Sequence, residues 1–320
     1  MVKSTNLSII IPTLNSPRTI KRAIESCLFI KNFCVEIIIV IDGLGRGMSN
    51  LHQEISSLPE NFSLTVCEIE RGGAAGARNF GLKKATGEWI CFLDDDDELC
   101  AENIALALSF DSAGVDLIRG DFFEVRSEND QSQSMRCGST SYQNSFELKF
   151  VEPVELFHEK GFWRYIYSRN FLNSKGIIFF PDRNTLDADY KHEDFFFLCH
   201  VLSSNPKTMF CQSNFYTYYV RPANESIKLI YLEHLLIDFR VCKLFVSKIA
   251  ENSQFLNKRF LAHIILDRLY FAANTIFENS VEFSLGDLFS ATVEVVNFYP
   301  RILPLACKRM TKQLLRRVFS

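Results

Sequence analysis

Short apolar runs alternate with helix-period segments along the first 125 residues of the chain. Runs rich in isoleucine, valine and phenylalanine predict strands at 7–14, 35–42, 63–70, 88–94 and 115–125. Between them, apolar residues recur at helical spacing in PRTIKRAIESCLFI, AAGARNFGLKKAT and ENIALALSF, which predicts helices. Near-continuous apolar strands that alternate with helices indicate a mostly parallel sheet covered on both faces. The pattern therefore predicts an α/β fold.

The rest of the chain changes character twice. Residues 126–145, RSENDQSQSMRCGSTSYQNS, are polar and aperiodic, which predicts a mobile loop or hinge. The stretch from 150 to 220 is mixed and rich in aromatic residues. Residues 228–320 show helical periodicity throughout, so we expect a helical C-terminal region.

Composition describes an ordinary globular protein, with 47% hydrophobic residues, 23% charged residues and a net charge of −3. This charge gives no overall attraction for nucleic acid. Ten cysteines are scattered singly, without a Cys-x-x-Cys pair, so neither a disulfide framework nor a zinc site is indicated. The first apolar run is too short for a signal peptide, and we expect no membrane span and a cytoplasmic location.

Candidate chemistry begins at FLDDDDEL, residues 92–99, where four aspartates directly follow an apolar strand. Their mutual repulsion is tolerable where a cation is bound. Asp42 ends another predicted strand, and parallel strands place their carboxyl ends at one edge, where such sheets bind ligands. Carboxylate oxygens suit Mg²⁺ or Mn²⁺, which proteins share with substrate phosphates. If the aspartate run stays extended, Asp94 and Asp96 point to one side.

Two other phosphate-binding patterns are absent from the sequence. The first predicted strand ends in PTLNSPR, without the Gly-x-Gly-x-x-Gly turn of a dinucleotide site. No phosphate loop ending in Gly-Lys-Ser or Gly-Lys-Thr occurs. The remaining possibility is a nucleotide-binding fold that binds phosphate through a divalent cation.

Several motifs in order resemble the GT-A domain of family-two glycosyltransferases, the inverting enzymes of bacterial surface polysaccharide synthesis. The match comprises SIIIPTLN, IIIVIDG and RGGAAGARNFGLKKATGEWICFLDDDDEL, and further on FWRYIYSRNFLNSKGIIFF, HEDFFF and YYVRPANESI. It covers about residues 6–228. The resemblance implies a GT-A domain over 1–228, with a nucleotide-sugar half at 1–125 and an acceptor half at 146–228. A helical region at 229–320 follows.

The resemblance also assigns residues to the donor. Pro12, Thr13 and Asn15 match positions around the base, Asp42 the uracil and ribose contact, Arg78 and Asn79 the diphosphate contacts, and Asp94 the nucleotide-sugar contact. The chain has Ile41-Asp42 where the family usually has two aspartates.

Metal binding follows from the same signature, in which Asp96 is the implied ligand of Mn²⁺ or Mg²⁺. Asp95 fills the variable position, and Asp97 is a neighbour of the metal or of the acceptor. The late histidine that many relatives add as a ligand is missing from YYVRPANESI.

Asp194 matches the catalytic base, which takes a proton from the acceptor hydroxyl during an inverting transfer. An alternative is that the Glu193-Asp194 pair only caps the helix that follows. The expected function is transfer of a sugar from a nucleoside-diphosphate sugar, with UDP as the expected nucleotide, to a glycan or lipid-linked acceptor. The alternatives are a catalytically inactive glycan-binding homologue and a sugar-phosphate nucleotidylyltransferase, which would need a Gly-rich basic loop after the first strand.

The last twenty residues predict a membrane contact. Residues 301–320 include six basic side chains and no acidic one. On a helical wheel, Leu303, Cys307, Met310, Leu314 and Val318 share one face, and the basic residues lie mainly opposite. This pattern indicates a helix lying on the inner face of the cytoplasmic membrane. The alternative is a terminal helix packed on the protein with its charges in water.

Overall fold

The computed structural model describes residues 6–14, 17–44, 58–110, 114–128, 131–137, 148–151, 161–180, 193–220, 241–247, 257–278 and 284–318. By compactness the chain divides into two units, residues 1–189 with 206–222 and residues 190–205 with 223–320. The first unit contains the sheet and the second is helical. The domain boundary that the sequence places after residue 228 stays a prediction.

Within the described residues, ten strands form one mixed sheet. They are β1 (Asn6–Thr13), β2 (Cys34–Asp42), β3 (Phe62–Ile69), β4 (Trp89–Phe92), β5 (Glu98–Leu99), β6 (Leu117–Glu128), β7 (Gln131–Cys137), β8 (Leu148–Val151), β9 (Tyr165–Ser168) and β10 (Thr208–Val220). Their order is β3-β2-β1-β4-β9-β6-β10-β5, with β7 paired to β6 and β8 paired to β10.

Helices flank the sheet and make up the second unit. The first unit contains α1 (Pro17–Cys27), α2 (Gly73–Lys84), α3 (Ala101–Ser109) and α4 (Arg169–Ser174). The second contains α5 (Glu193–Ser203), a helical segment at 241–247, α6 (Lys258–Glu278), α7 (Leu285–Phe298) and α8 (Leu303–Val318). These bounds confirm the α/β fold and the helical C-terminal region.

The first half of the sheet is parallel, as the apolar pattern predicts. Strands β3, β2, β1 and β4 run in one direction, with Ile9 of β1 opposite both Ile37 of β2 and Cys91 of β4. All three side chains are buried in one apolar cluster. Since these strands are parallel, β1, β2 and β4 end at the same edge of the sheet.

The second half departs from the prediction because β9 enters the sheet between β4 and β6. It is antiparallel to both neighbours, and Tyr165, Ile166 and Tyr167 are all buried there. Four residues without polar alternation leave too short a periodic signal to be recognised as a strand. Strand β10 then continues the sheet, parallel to β6.

The predicted loop at 126–145 is wrong over its described part. Strand β6 runs on to Glu128, and β7 returns antiparallel beside it from Gln131 to Cys137. Hydrogen bonds between β6 and β7 satisfy the backbone N–H and C=O groups whatever the polarity of the side chains. The serine- and glutamine-rich sequence therefore gave no apolar pattern from which this strand pair could be predicted. Residues 138–145 lie outside the described residues.

At the opposite edge of the parallel strands, the carboxylate of Glu36 joins three segments. Its Oε1 accepts hydrogen bonds from the Ser8 hydroxyl, from the N–H and hydroxyl of Thr86 at 2.5 and 2.9 Å, and from the Gly87 N–H at 2.9 Å. Burial opposes ionisation, but these donors outweigh it and lower the pKa of Glu36. Gly87 is required here because a Cβ would lie 2.6 Å from Ser8 Oγ and 2.7 Å from Ser8 N.

One helix in the described chain has the length and mean hydropathy of a membrane span, the Lys258–Phe277 window of α6 at 1.2. Of that window, 56% is buried inside the protein. Its Tyr270 hydroxyl donates to the carbonyl of Ala306 in α8 at 3.3 Å. The helix thus packs as a core element of the helical unit.

Replacing Glu36 tests the charge at this junction. We expect Glu36→Gln to lower the free energy of unfolding at pH 7 by about 1 kcal/mol, because charge-assisted hydrogen bonds become neutral ones on a partly exposed side chain. Since the folded pKa lies below the usual 4.5, the contribution is complete above pH 4.5 and is lost as the pH falls through the folded pKa. Urea unfolding at pH 7 and at lower pH measures the difference.

The exposed carboxylate of Glu60 supplies the matched control, and Glu60→Gln is expected to leave stability nearly unchanged. If the difference in unfolding free energy between wild type and Glu36→Gln stays the same at low pH, the prediction is contradicted. Such a result would assign the loss to shape instead of charge.

Candidate active site

The polar groups predicted to bind a nucleotide sugar meet where β1, β2 and β4 end. Thr13 is the last residue of β1, Asp42 the last of β2, and Asp94 follows closely after β4. The Thr13 hydroxyl donates to Asp95 Oδ2 at 2.5 Å, which ties β1 to the aspartate run. Asp95, the variable position of the signature, therefore has a structural contact of its own.

The aspartate run itself is a turn, so the extended conformation considered from the sequence is wrong. The Asp97 N–H donates to the Asp94 carbonyl at 3.2 Å, which closes a four-residue turn. The chain has to reverse here because β5 pairs antiparallel with β10 directly afterwards. Successive carboxylates consequently contact different partners.

Arg78 of α2 reaches the first aspartate of the turn. Its Nη2 lies 2.7 Å from Asp94 Oδ1, and the guanidinium stands 4.7 Å above the ring of Phe162 and 5.3 Å from that of Phe179. The Arg78 side chain is buried, so this ion pair is not a surface contact of the arginine. A buried guanidinium held by a carboxylate and two rings is pre-organised for anionic oxygens.

Asp97 is the most enclosed member of the run, with 1% of its surface exposed. It accepts hydrogen bonds from the Tyr216 hydroxyl at 2.9 Å and from the Tyr219 N–H at 2.8 Å. Burial raises the pKa of Asp97 to about 8; the charges of Asp94 and Asp96 act in the same direction and the two hydrogen bonds act against it. Burial and the neighbouring carboxylates thus both favour the neutral form of Asp97.

Arg22 of α1 fixes the other side of the turn and was missed by sequence reasoning. Its Nη2 donates to the Asp96 carbonyl at 2.5 Å, and its Nε lies 2.9 Å from Glu98 Oε1. The guanidinium also lies 4.0 Å from the centre of the Tyr219 ring. In the sequence, Arg22 is one of several charged residues on a predicted amphipathic helix, and nothing there links it to residue 96.

Asp42 contacts the start of α2. Its carboxylate accepts from the N–H groups of Gly72 at 2.5 Å and Gly73 at 3.1 Å. Gly73 has a φ of +70°, which favours glycine at this turn. A buried carboxylate at a helix N-terminus is stabilised by the unpaired N–H groups there. Asp42 therefore anchors α2, and its predicted uracil and ribose contact stays a prediction.

The remaining predicted donor contacts have mixed placements. Asn79 Nδ2 donates to the Phe179 carbonyl at 2.9 Å and its Oδ1 accepts from the Phe179 N–H at 2.8 Å, which gives this buried amide a structural role. Its predicted diphosphate contact stays a prediction. Pro12 is half-buried within β1. Asn15 lies outside the described residues.

Asp96, the predicted metal ligand, is half-buried on the same turn. Among the described residues, no group of three or more histidine, cysteine or acidic side chains is arranged to hold a metal ion. Mg²⁺ needs no such cage, because it is often held by one or two carboxylates together with substrate phosphates. Asp94 and Asp96 place carboxylate oxygens on one turn at the carboxyl edge of the sheet, and such oxygens are the hard ligands that this ion prefers. The residues present therefore fit the metal.

Asp194, the predicted base, belongs to the helical unit. It lies in the first turn of α5, where its Oδ1 accepts from the Phe195 N–H at 2.7 Å. Glu193 beside it is buried. Both positions agree with the capping alternative, since carboxylates are stabilised at a helix N-terminus, and the catalytic role of Asp194 stays a prediction.

Comparison with solved structures identifies the fold class. The chain superposes on Staphylococcus aureus TarS 1–349 in complex with UDP-GlcNAc with a TM-score of 0.65, covering 96% of this chain and 88% of that one at 19% identity. The fold is therefore the GT-A fold.

The family follows from the sequence match. Residues 8–171 match Glycosyl transferase family 2, and the chain belongs to that family. It is 26% identical over 239 residues to the succinoglycan biosynthesis protein ExoO of Rhizobium meliloti, covering 73% of this chain and 66% of ExoO. It is 32% identical over 113 residues to the amylovoran biosynthesis glycosyltransferase AmsB of Erwinia amylovora, covering 34% of this chain and 36% of AmsB. The match thus spans two thirds or less of each relative.

Tyr216 offers a test of how the turn is held. We expect Tyr216→Phe to cost about 1–3 kcal/mol of unfolding free energy, because the hydroxyl both donates to buried Asp97 and accepts from the Asp94 N–H at 3.1 Å. Urea unfolding at pH 7 measures the loss. Tyr218 lies two residues further along the chain, and its side chain is 36% exposed. Tyr218→Phe removes the same hydroxyl group there and should change the free energy of unfolding by less than about 0.5 kcal/mol. Equal losses in the two variants would refute the assignment.

Proposed function

We propose that the protein transfers a sugar, with inversion, from a nucleoside-diphosphate sugar to a glycan or lipid-linked acceptor in surface polysaccharide synthesis. Such polymers include O-antigen, capsule and lipooligosaccharide. The observation that carries the proposal is the aspartate turn at the carboxyl edge of the sheet, with Arg78 buried against Asp94. Ligands of open α/β sheets bind at this edge.

The donor half of the site is assigned as follows. The end of β1 and Asp42 face the nucleoside, Arg78 faces the diphosphate, and Asp94 faces the sugar nucleotide. Asp96 holds Mn²⁺ or Mg²⁺, which when bound offsets the negative charge that develops on the departing diphosphate. Asp97, buried beneath them and held by Tyr216 and Tyr219, keeps the turn in place.

The acceptor requires a base, and the family resemblance assigns it to Asp194. Its carboxylate takes the proton of the acceptor hydroxyl as the oxygen attacks the anomeric carbon from the face opposite the nucleotide. Hexosyl and N-acetylhexosaminyl transfer both meet this description.

The relatives guide the choice of substrates to test. ExoO and AmsB are named for succinoglycan and amylovoran biosynthesis, which favours a polysaccharide product. TarS has been crystallised with UDP and with UDP-GlcNAc, so UDP-sugars are the first donors to examine. We further place the protein in the cytoplasm, at the inner membrane surface where a lipid-linked acceptor is presented.

Calorimetric titration of the purified protein with UDP-, GDP- and dTDP-sugars tests the proposal, followed by hydrolysis and transfer assays with the donor that binds. Metal-dependent binding and turnover of one donor class is the expected result. Binding of glycans without turnover of any donor would favour the inactive homologue. Formation of a nucleotide sugar from a sugar phosphate and a nucleoside triphosphate would favour the nucleotidylyltransferase.

Removing the predicted metal ligand is the sharper test of the donor site. We expect Asp96→Ala to lower turnover about a hundredfold or more, because charge neutralisation at the diphosphate is worth several kcal/mol. EDTA should abolish wild-type activity, and added Mn²⁺ or Mg²⁺ should restore it. Glu60→Ala removes an exposed carboxylate elsewhere and should leave turnover unchanged. Full activity in EDTA would contradict a role for a divalent metal ion.

Asp194→Asn keeps the shape of the side chain and removes its basicity. Turnover should fall by about two to four orders of magnitude while donor affinity persists, because the base acts only on the acceptor. Steady-state kinetics and donor calorimetry measure the two quantities. If Glu193→Gln is the crippling change and Asp194→Asn is not, the base is the neighbouring residue.

A further inference from the structure

Helix α8 packs on its unit through one apolar and one polar side chain, and three of its four leucines are exposed. Among the side chains described for residues 303–316, the buried ones are Ala306 and Gln313, the latter 5% exposed. Gln313 donates to the side-chain carbonyl of Asn274 in α6, and Arg316 donates to the same atom at 2.8 Å. The terminal helix therefore packs on the protein, as the alternative interpretation of the sequence expects.

Several apolar side chains of α8 are exposed. Leu303, Leu314 and Leu315 are 50%, 46% and 51% exposed, and Cys307 is exposed as well. At about 100° per residue, Cys307 and Leu314 lie within about 40° of Leu303. Met310, which the sequence placed on this face, is only partly exposed. Leu303, Cys307 and Leu314 thus form an apolar stripe along one side of the exposed arc, and Leu315 lies farther round the helix.

Positive charge lies on the other side of the exposed arc. Lys308, Lys312 and Arg316 follow one another at four-residue intervals, about 140–220° around the helix from Leu303, and Leu315 at about 120° lies beside Lys308. Arg309, by contrast, forms an ion pair with Asp267 of α6. Because residues 301–320 contain no acidic side chain, the helix itself offers these cations no partner.

We propose that the exposed arc of α8, which carries Leu303, Leu314 and Leu315 on one side of Lys308, Lys312 and Arg316, docks on an anionic lipid membrane surface. Leucines at the headgroup boundary bury their side chains, while the adjacent cations meet lipid phosphates. A second copy of the chain is the poorer occupant, because pairing this face with itself brings like charges together. The inference stands apart from the sugar transfer and applies whatever the catalytic activity is.

The expected strength follows from the same residues. Each cation near an anionic surface contributes about 1 kcal/mol, which is about a fivefold change in partitioning. Lys308→Gln combined with Lys312→Gln should therefore weaken binding about 25-fold. Leu314→Ser combined with Leu315→Ser should weaken it by about a hundredfold, because two large apolar side chains leave the interface.

Flotation of the full chain with vesicles tests the proposal. The vesicles are phosphatidylcholine with and without phosphatidylglycerol, at low salt and at about 0.5 M salt, where screening shortens the range of the attraction. We expect the wild type to float only with the anionic vesicles and to lose binding at high salt. Both double variants should remain at the bottom of the gradient.

Matched controls come from the first unit. Lys83→Gln with Lys84→Gln removes two exposed cations at the end of α2, and Leu106→Ser removes an exposed leucine of α3. Both controls should float like the wild type. Equal binding to neutral and anionic vesicles, wild-type flotation of either α8 variant, or no flotation of the wild type would overturn the proposal. Light scattering that shows a dimer lost in the leucine variant, without vesicle binding, would make a second copy the occupant.

Discussion

Concentrated negative charge at the carboxyl edge of the sheet is the constraint around which the first unit is arranged. Four aspartates follow β4 within one turn, and each has to be placed without an outright clash of like charges. Asp94 is paired with Arg78, Asp95 accepts from Thr13, and Asp97 is buried under tyrosine donors. Burial, together with the charges of Asp94 and Asp96, raises the pKa of Asp97 to about 8, which favours the neutral form of this carboxyl group and limits the repulsion within the turn.

The rest of the unit holds these partners in position. Arg78 lies on α2, whose first turn is anchored by the Asp42 carboxylate and whose Asn79 grips the backbone of Phe179. The tyrosines come from β10, which reaches the site because β9 enters the sheet antiparallel between β4 and β6. At the far edge, the Glu36 carboxylate collects donors from β1 and from the turn before β4. The acidic turn is thus supported through buried hydrogen bonds on several elements.

The helical unit differs from the first unit in how apolar and polar side chains are divided between its core and its surface. Its core is apolar, and α6 is hydrophobic enough to resemble a membrane span although more than half of that window is buried. On α8, by contrast, Gln313 is buried while Leu303, Leu314 and Leu315 are exposed. A helix in water gains nothing from this arrangement, which is why its free face is read as a contact surface.

Periodicity and motif order in the sequence were sufficient to predict the α/β fold, the parallel strands, the helical C-terminal region and the family. Those features depend on local spacing and on contiguous residues such as FLDDDDEL. The strand pair at β6 and β7, the central position of β9 and the turn at Asp94–Asp97 were decided by tertiary pairing, because backbone partners far along the chain override local polarity. The contacts of Arg22, Tyr216 and Tyr219 were likewise beyond the sequence, since no local pattern relates residue 22 to residue 96 or residue 97 to residue 216. Which face of α8 is buried was also decided only by packing, because its wheel offers both an apolar and a polar side and the neighbouring helix selects between them.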